Sequence, residues 1–259
     1  MDNKVKNYYI NEYDEEARLS EHCDNRHIVE REVKKHIIKS YLPTQGSVLE
    51  IGAGTGLYCV YLAQMGYNVC ACDLVEKHVE ILKEKSQKLN LSINACVADA
   101  LKVPFEDESF DVVLLSGPIY HLHSKEDKQT AINEAVRCCK KNGIVVVDYL
   151  SQIHGFIQSA LVDEEFLKNY PDEDFKDLNC DYDVFSFNRS SDMIEMLEKA
   201  NLKDIKLYGT DSISRFIKKD LNWFGPKSLE KWIKFIIRIS NESGVIELSE
   251  HGLAIGCKK

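Results

Sequence analysis

Val48-Leu49-Glu50-Ile51-Gly52-Ala53-Gly54-Thr55-Gly56 decides how this chain folds. A short apolar run with one acid inside it meets three glycines separated by single small residues. Residues 57–65 then continue as a helical stretch, stopped by Gly66. Strand, glycine turn and helix are the opening unit of a parallel sheet. The glycines let a ligand approach the backbone, where a side chain would block it. The helix start beyond them offers free N–H groups and the positive end of its dipole. Such a site takes a pyrophosphate or an amino-acid carboxylate. Spacing separates the two. Dinucleotide sites carry Gly-x-Gly-x-x-Gly, whereas here the third glycine comes one residue early and Leu57 takes its place. Glu50 would repel a pyrophosphate, but it can accept a hydrogen bond from an ordered water or an α-ammonium group.

Outward from this stretch, strand-like and helical patterns alternate. Strands are expected at 68–72, 93–97, 111–115 and 144–149, the last being the most continuously apolar and so central. Helices are expected at 76–89 and 125–140, with Asn142-Gly143 ending the second. The regularity breaks at 151–190, an acidic, aromatic-rich insertion too long for an ordinary connection. A helix at 191–200 and a strand at 202–208 follow. A second insertion, 212–250, carries an amphipathic helix presenting Leu229, Trp232, Ile233, Ile236 and Ile237, which suits a lid, a core helix or a dimer contact equally. The last strand is 253–257.

Composition narrows the partners. The 259 residues fit one α/β domain with insertions, and 33 Lys+Arg against 42 Asp+Glu leave a formal charge of −9. No basic stripe of the kind that neutralises phosphates is present, which argues against nucleic acid. The nearest candidate, Lys227, Lys231, Lys234 and Arg238, reads as a solvated helix face. Nine cysteines scattered through apolar runs, without Cys-x-x-Cys or zinc spacing, read as reduced thiols. Residues 1–16 are polar and acidic, unlike a secretory signal, and no apolar run approaches a membrane span. A cytoplasmic protein with no membrane partner is expected.

Asp73 and Asp99 close the second and third strands at the same sheet edge as the glycine loop. An acid at the first position can accept both hydroxyls of a ribose, and one at the second can accept an adenine amine. The plainer reading of either is a helix N-cap. With these positions the sequence resembles the class I, seven-stranded S-adenosylmethionine-dependent methyltransferases. The matching motifs are residues 48–56, Ala71-Cys72-Asp73-Leu74, Ala98-Asp99-Ala100, Ser109-Phe110-Asp111-Val112-Val113 and Lys141-Asn142-Gly143-Ile144. The resemblance covers about residues 45–150 and is faint outside them. It implies a Rossmann-like α/β fold: a mostly parallel sheet of order 3-2-1-4-5-7-6, helices on both faces, and the last strand antiparallel. By resemblance, Glu50, Gly52, Ala53, Gly54 and Gly56 hold the methionine part of S-adenosylmethionine. Asp73 and Leu74 hold the ribose, Asp99 and Ala100 the adenine, and Ser116 borders the cofactor from the fourth-strand loop. The product is S-adenosylhomocysteine.

In this family the loop after the fourth strand faces the methyl group. Here it reads Ser116-Gly117-Pro118-Ile119-Tyr120-His121, without the Asn or Asp of the enzymes that methylate base amines. It is similar to the Gly-Pro-x-Tyr-His loop of a group of bacterial small-molecule methyltransferases. His121 and Tyr120 are the candidate catalytic residues, with His123 a weaker one; capping the next helix or packing against the lid is the plain alternative. Residues 1–45 read as a helical lid segment before a methyltransferase domain at 46–259, with Tyr13 and Arg18 as lid contacts to the cofactor; an ordinary helix docked on the sheet is the plainer alternative. The acids of 151–190 suit a cationic substrate or simply a solvated surface, and its aromatics a small core of their own. The expected function is methyl transfer to an O, N, S or C nucleophile of a small molecule, with no metal. A non-catalytic S-adenosylmethionine-binding protein and an NAD(P)-dependent oxidoreductase remain open.

Overall fold

A computed structural model describes residues 3–19, 23–216 and 221–259. Positions 1–2 and 20–22 of the N-terminal segment, and 217–220 of the second insertion, lie outside the described residues. Two short helices, α1 (Asn3–Asn11) and α2 (Glu15–Leu19), precede a longer α3 (Asn25–Tyr41). The alternating core follows as β1 (Ser47–Ile51), α4 (Leu57–Gln64), β2 (Asn68–Asp73), α5 (Glu76–Lys88), β3 (Ile93–Val97), β4 (Phe110–Leu115), α6 (Lys125–Cys138) and β5 (Cys139–Leu150). Then come α7 (Gln152–Val162), α8 (Glu164–Lys168), α9 (Ser190–Lys199), β6 (Leu202–Gly209), α10 (Pro226–Ile239), α11 (Ser243–Ile246) and β7 (His251–Lys258).

The seven strands form one sheet of order β3-β2-β1-β4-β5-β7-β6. Pairing is parallel from β3 through β5, and β7 runs antiparallel to both β5 and β6. The expected strand order and the antiparallel last strand are both present.

Both faces are covered, which is why the central strands are apolar without alternation. Leu49, Ile51, Val113, Leu115, Val145 and Val147 face one core with α6 and α9. Their neighbours Val48, Val112, Leu114 and Val146 face the other, with α3, α4 and α10. Each fully buried aliphatic side chain contributes about 1.5–3 kcal/mol. On α3, Val29, Val33, Ile37 and Ile38 recur at helical spacing and are buried against the sheet.

The boundary between α6 and β5 differs from the sequence reading. Helix α6 ends at Cys138, because Cys139 is already extended (ψ 136°) and pairs with Phe110. The chain then bulges through Asn142 (φ +61°) before Ile144 pairs with Val112, so β5 begins five residues early. The helix around Trp232 completes the core: α10 lies on α3, and Leu229, Trp232, Ile233, Ile236 and Ile237 all join the α3-side cluster. The aromatics of 151–190 divide into two groups. Phe156, Phe166, Tyr170 and Phe175 form a small cluster of their own, whereas Phe185 packs on Tyr8, Tyr120 and His121. Among the described residues no helix is long and apolar enough to cross a membrane.

Candidate functional site

A cavity opens at the carboxyl edge of the sheet, where open α/β sheets bind ligands. Its floor is the loop after β1. Gly52 (φ +79°) folds that loop back so that the N–H groups of Gly52 and Ala53 donate to Cys72 O at 2.8 and 3.1 Å. A Cβ on Gly52 would stand 2.4 Å from Ser116 O, so only glycine lets the β1 and β4 loops meet. Gly54 faces the opening; the nearest atom to a Cβ there is Glu15 Oε1 of α2, at 3.4 Å. Gly56 serves packing, since a Cβ would reach within 2.2 Å of Leu82 on α5.

Asp73 is buried at the end of β2. Its Oδ2 accepts the Gly54 N–H at 2.8 Å, and its Oδ1 accepts the Val75 N–H at 2.8 Å and faces His78 Nδ1 at 3.2 Å. The carboxylate thus ties the glycine loop to the β2 end while forming part of the cavity wall. Leu74, Val75, Ala98 and Ala100 give the wall beside it an apolar slot. Asp99 lies behind that slot, its Oδ1 accepting the Leu101 N–H at 3.0 Å.

Beyond the loop the cavity is ionic. Glu50 is buried, takes the Cys59 thiol hydrogen at 2.9 Å, and is pushed up by burial to about 7 despite the nearby Lys34 ammonium. Lys34 of α3 bonds Ser116 Oγ at 3.3 Å and forms an ion pair with Asp148 at the end of β5. Arg18 grips Glu30 with two bonds of 2.8 and 3.0 Å. Burial alone would raise the Glu30 carboxyl, but the charges of Arg18 and His251 outweigh it and hold it well below the usual range. His251, at the start of β7, sets its Nδ1 3.1 Å from Asp211 Oδ2. Burial disfavours its charged form, and the neighbouring Glu30 and Asp211 carboxylates more than offset that, raising it above its ordinary value. Asp211, Glu250 and His251 bring ligand atoms within 4.8 Å of one another. Arg215 Nε already lies 3.3 Å from Asp211 and 2.6 Å from Glu250, supplying the cation between them.

The β4 loop makes a 3-10 turn at Pro118–His121 that places Tyr120 and His121 on the cavity wall. The Val184 carbonyl can only accept, so its 2.8 Å contact assigns the proton to His121 Nδ1. Nε2 is then a lone pair, and the Tyr9 hydroxyl of α1 donates to it at 2.9 Å. Burial pushes His121 down to about 4, so the ring is neutral near pH 7. Burial likewise raises the Tyr120 phenol, which stays protonated. Ser186 N–H donates to Tyr120 O at 2.8 Å and Ser186 Oγ to Leu122 O at 2.7 Å, so the 151–190 insertion braces this loop from behind.

The structure therefore brings Glu50, Gly52, Ala53, Gly54, Asp73, Leu74, Ala100, Ser116, Tyr120, His121 and Arg18 to one cavity. Gly56, Asp99, Tyr13 and His123 stand off its wall. Tyr13 stacks on Tyr8 at 5.4 Å, and His123 bonds the Asp183 carbonyl at 3.1 Å. No described residue of 151–190 lines the cavity, so the acids of that insertion do not face it. Sequence reasoning missed Tyr9, Glu15, Glu30, Lys34, Asp148 and His251 as cavity residues. For Glu30 and Lys34 a signal existed, because two charges one turn apart lie among the buried Val29, Val33 and Ile37 of α3. For Tyr9 there was none, its partner being 112 residues away.

The cradle fits an adenosyl amino acid. It joins a side-chain-free glycine floor, an acid at the β2 end, an apolar slot for a base, and basic groups at the far end. Residues 49–147 match the model of a methyltransferase domain family. The chain is 25% identical over 162 residues to a ubiquinone biosynthesis O-methyltransferase of Rickettsia typhi, with 62% of each protein covered. It is 30% identical over 193 residues to norajmaline N-methyltransferase of Rauvolfia serpentina, covering 71% of this chain and 63% of that enzyme. It thus spans somewhat under two thirds of both. A Thermotoga maritima structure described as an S-adenosylmethionine-dependent methyltransferase, possibly a histamine N-methyltransferase, superposes with a TM-score of 0.56 at 20% identity, covering 90% of this chain and 92% of the other. Sheet order, glycine loop, acidic strand end and the superposition agree: the chain has the fold of the class I S-adenosylmethionine-dependent methyltransferases, and its residues 49–147 match a methyltransferase domain family.

Proposed function

We propose that this protein transfers the methyl group of S-adenosylmethionine to a nucleophile of a small molecule. The observation that carries the reading is the Asp73–Gly54 bond at the base of an open glycine cradle, with Tyr120 and His121 on the same cavity wall. Bound S-adenosylmethionine supplies a methyl carbon already activated on a sulfonium. The nucleophile's lone pair bonds that carbon as the methyl–sulfur pair returns to sulfur, and a nucleophile that carries a proton gives it up. The protein's work is alignment and exclusion of water.

In this reading the glycine loop, Glu50 and Ser116 hold the methionine part, and Asp73 and Leu74 the ribose. Ala100 borders the adenine, with Asp99 behind it. Arg18 acts at the carboxylate end through the charge it shares with Glu30. Tyr120 orients the acceptor, and the lone pair of His121 Nε2 takes its proton when Tyr9 moves aside. Helices α1 and α2 of the 1–45 segment form the lid, supported by Val5, Tyr9, Glu15 and Arg18 on the cavity wall. Tyr13 supports it through its stack on Tyr8. The nine free thiols support a cytoplasmic setting.

Calorimetric titration with S-adenosylhomocysteine, with NADH and the Asp73→Ala variant as controls, tests the reading. Micromolar binding weakened at least tenfold in the variant is expected. Preference for NADH would return the chain to the oxidoreductases. Cofactor binding without transfer to any acceptor would leave a binding protein.

A further inference from the structure

Asp148 treats its two carboxylate oxygens differently. Oδ2 holds the Lys34 ammonium, while Oδ1 is buried and has no hydrogen-bond partner among the described residues. An acceptor left so costs about 1–3 kcal/mol, and in native structures such atoms mark a place for a donor.

The sheet order says whose donor it is. Along the carboxyl edge the cofactor cradle uses the ends of β2 and β1, with Ser116 next at the end of β4. Asp148 stands one strand further out, about 5 Å along the sheet. Leu150 pairs with His251, so Asp148 and His251 share a face as diagonal neighbours on β5 and β7. Both line the cavity, as does Tyr120.

Charge narrows the chemistry. Among the described cavity-lining residues, the five carboxylates Glu15, Glu30, Glu50, Asp73 and Asp148 face three basic side chains, Arg18, Arg31 and Lys34. With Glu50 near 7 and His251 protonated the two signs nearly balance, so the wall holds no surplus of positive charge for an added anion. The rings suit a cation: Lys34 Nζ already lies 4.1 Å from the Tyr58 centroid, and Tyr9 and Tyr120 line the same space.

We propose that Asp148 recognises the methyl acceptor and that the acceptor is an amine, donating an N–H to Oδ1 within this tyrosine-lined cavity. This rests on the methyltransferase reading above.

The test uses protein saturated with S-adenosylhomocysteine, titrated calorimetrically with tyramine, with 4-ethylphenol as the amine-free analogue and 3-(4-hydroxyphenyl)propionate as the anionic one. Tyramine is expected to bind at least tenfold more tightly than either. Asp148→Asn is expected to remove that preference while S-adenosylhomocysteine affinity stays within twofold, which also certifies the fold. Where this variant is destabilised, the paired change Lys34→Met with Asp148→Leu removes both charges together and is expected to lose the same preference. Failure of tyramine to bind, or equal binding to the variants, overturns the proposal. So does a tenfold loss of S-adenosylhomocysteine affinity in Asp148→Asn, which assigns the oxygen to the cofactor's ammonium. Wild-type protein that binds no S-adenosylhomocysteine sinks the methyltransferase reading instead.

Discussion

The Tyr9 hydroxyl donates to His121 Nε2 at 2.9 Å, joining the first helix to the β4 loop across 112 residues of sequence. The bond occupies the lone pair that a proton-accepting histidine needs, so α1 and the candidate base are coupled. Tyr9→Phe keeps the ring but deletes the donor. Chemical denaturation is expected to show a loss of about 1 kcal/mol, with turnover kept within about threefold. A hundredfold fall in turnover would mean that the phenol itself takes part in the chemistry.

His121→Ala removes the lone pair altogether. With an acceptor that must lose a proton, kcat is expected to fall roughly hundredfold or more, the usual contribution of a general base, while S-adenosylhomocysteine affinity is unchanged. Single-turnover kinetics check this, and near-normal rates would leave His121 as a brace for the loop.

Two buried groups give opposite pH dependences. His121 sits near 4 against an ordinary 6.5, so the stability it contributes is present above pH 6.5 and is lost as pH falls through about 4. Glu50 sits near 7 against 4.5, so its contribution is present below pH 4.5 and is lost as pH rises through about 7. Each is worth up to about 3 kcal/mol. Glu50→Gln is therefore expected to gain on wild type in urea unfolding at pH 8 relative to pH 5. An unchanged difference between the two pH values would show that Glu50 stays ionised throughout.

Glycine substitutions separate conformational strain from collision. Gly52 and Gly66 both have positive φ, +79° and +91°, but a Cβ on Gly66 meets nothing within 4 Å whereas one on Gly52 strikes Ser116 O at 2.4 Å. Gly66→Ala is expected to cost about 1–2 kcal/mol, and Gly52→Ala at least about 3 kcal/mol with loss of cofactor binding. Equal unfolding midpoints for the two variants would contradict the close approach of the β1 and β4 loops.

Chelation is expected to leave the site unchanged. Arg215 already balances Asp211 and Glu250 beside His251. S-Adenosylhomocysteine affinity and thermal midpoint should be the same before and after EDTA treatment, and a fall in either would place a metal in that cluster.

What could be read from the sequence was what short stretches determine. Alternating periodicity, the glycine spacing at 52–56 and the acid at Asp73 were enough for the fold class, and the resemblance those residues carry implied the strand order that the sheet shows. These features depend on backbone conformation and on neighbours within a turn or a strand. The bulge at 140–143 was not legible, because a strand register shift depends on the partner strand β4. Nor was the place of α10, since its apolar face would suit any apolar surface and only the exposed side of α3 settled which. The ionic end of the cavity was tertiary throughout. Lys34 with Asp148, Arg18 with Glu30, and His251 with Asp211 are pairs drawn from different elements. Burial gives those charges their energies, and burial exists only once the chain has closed around them.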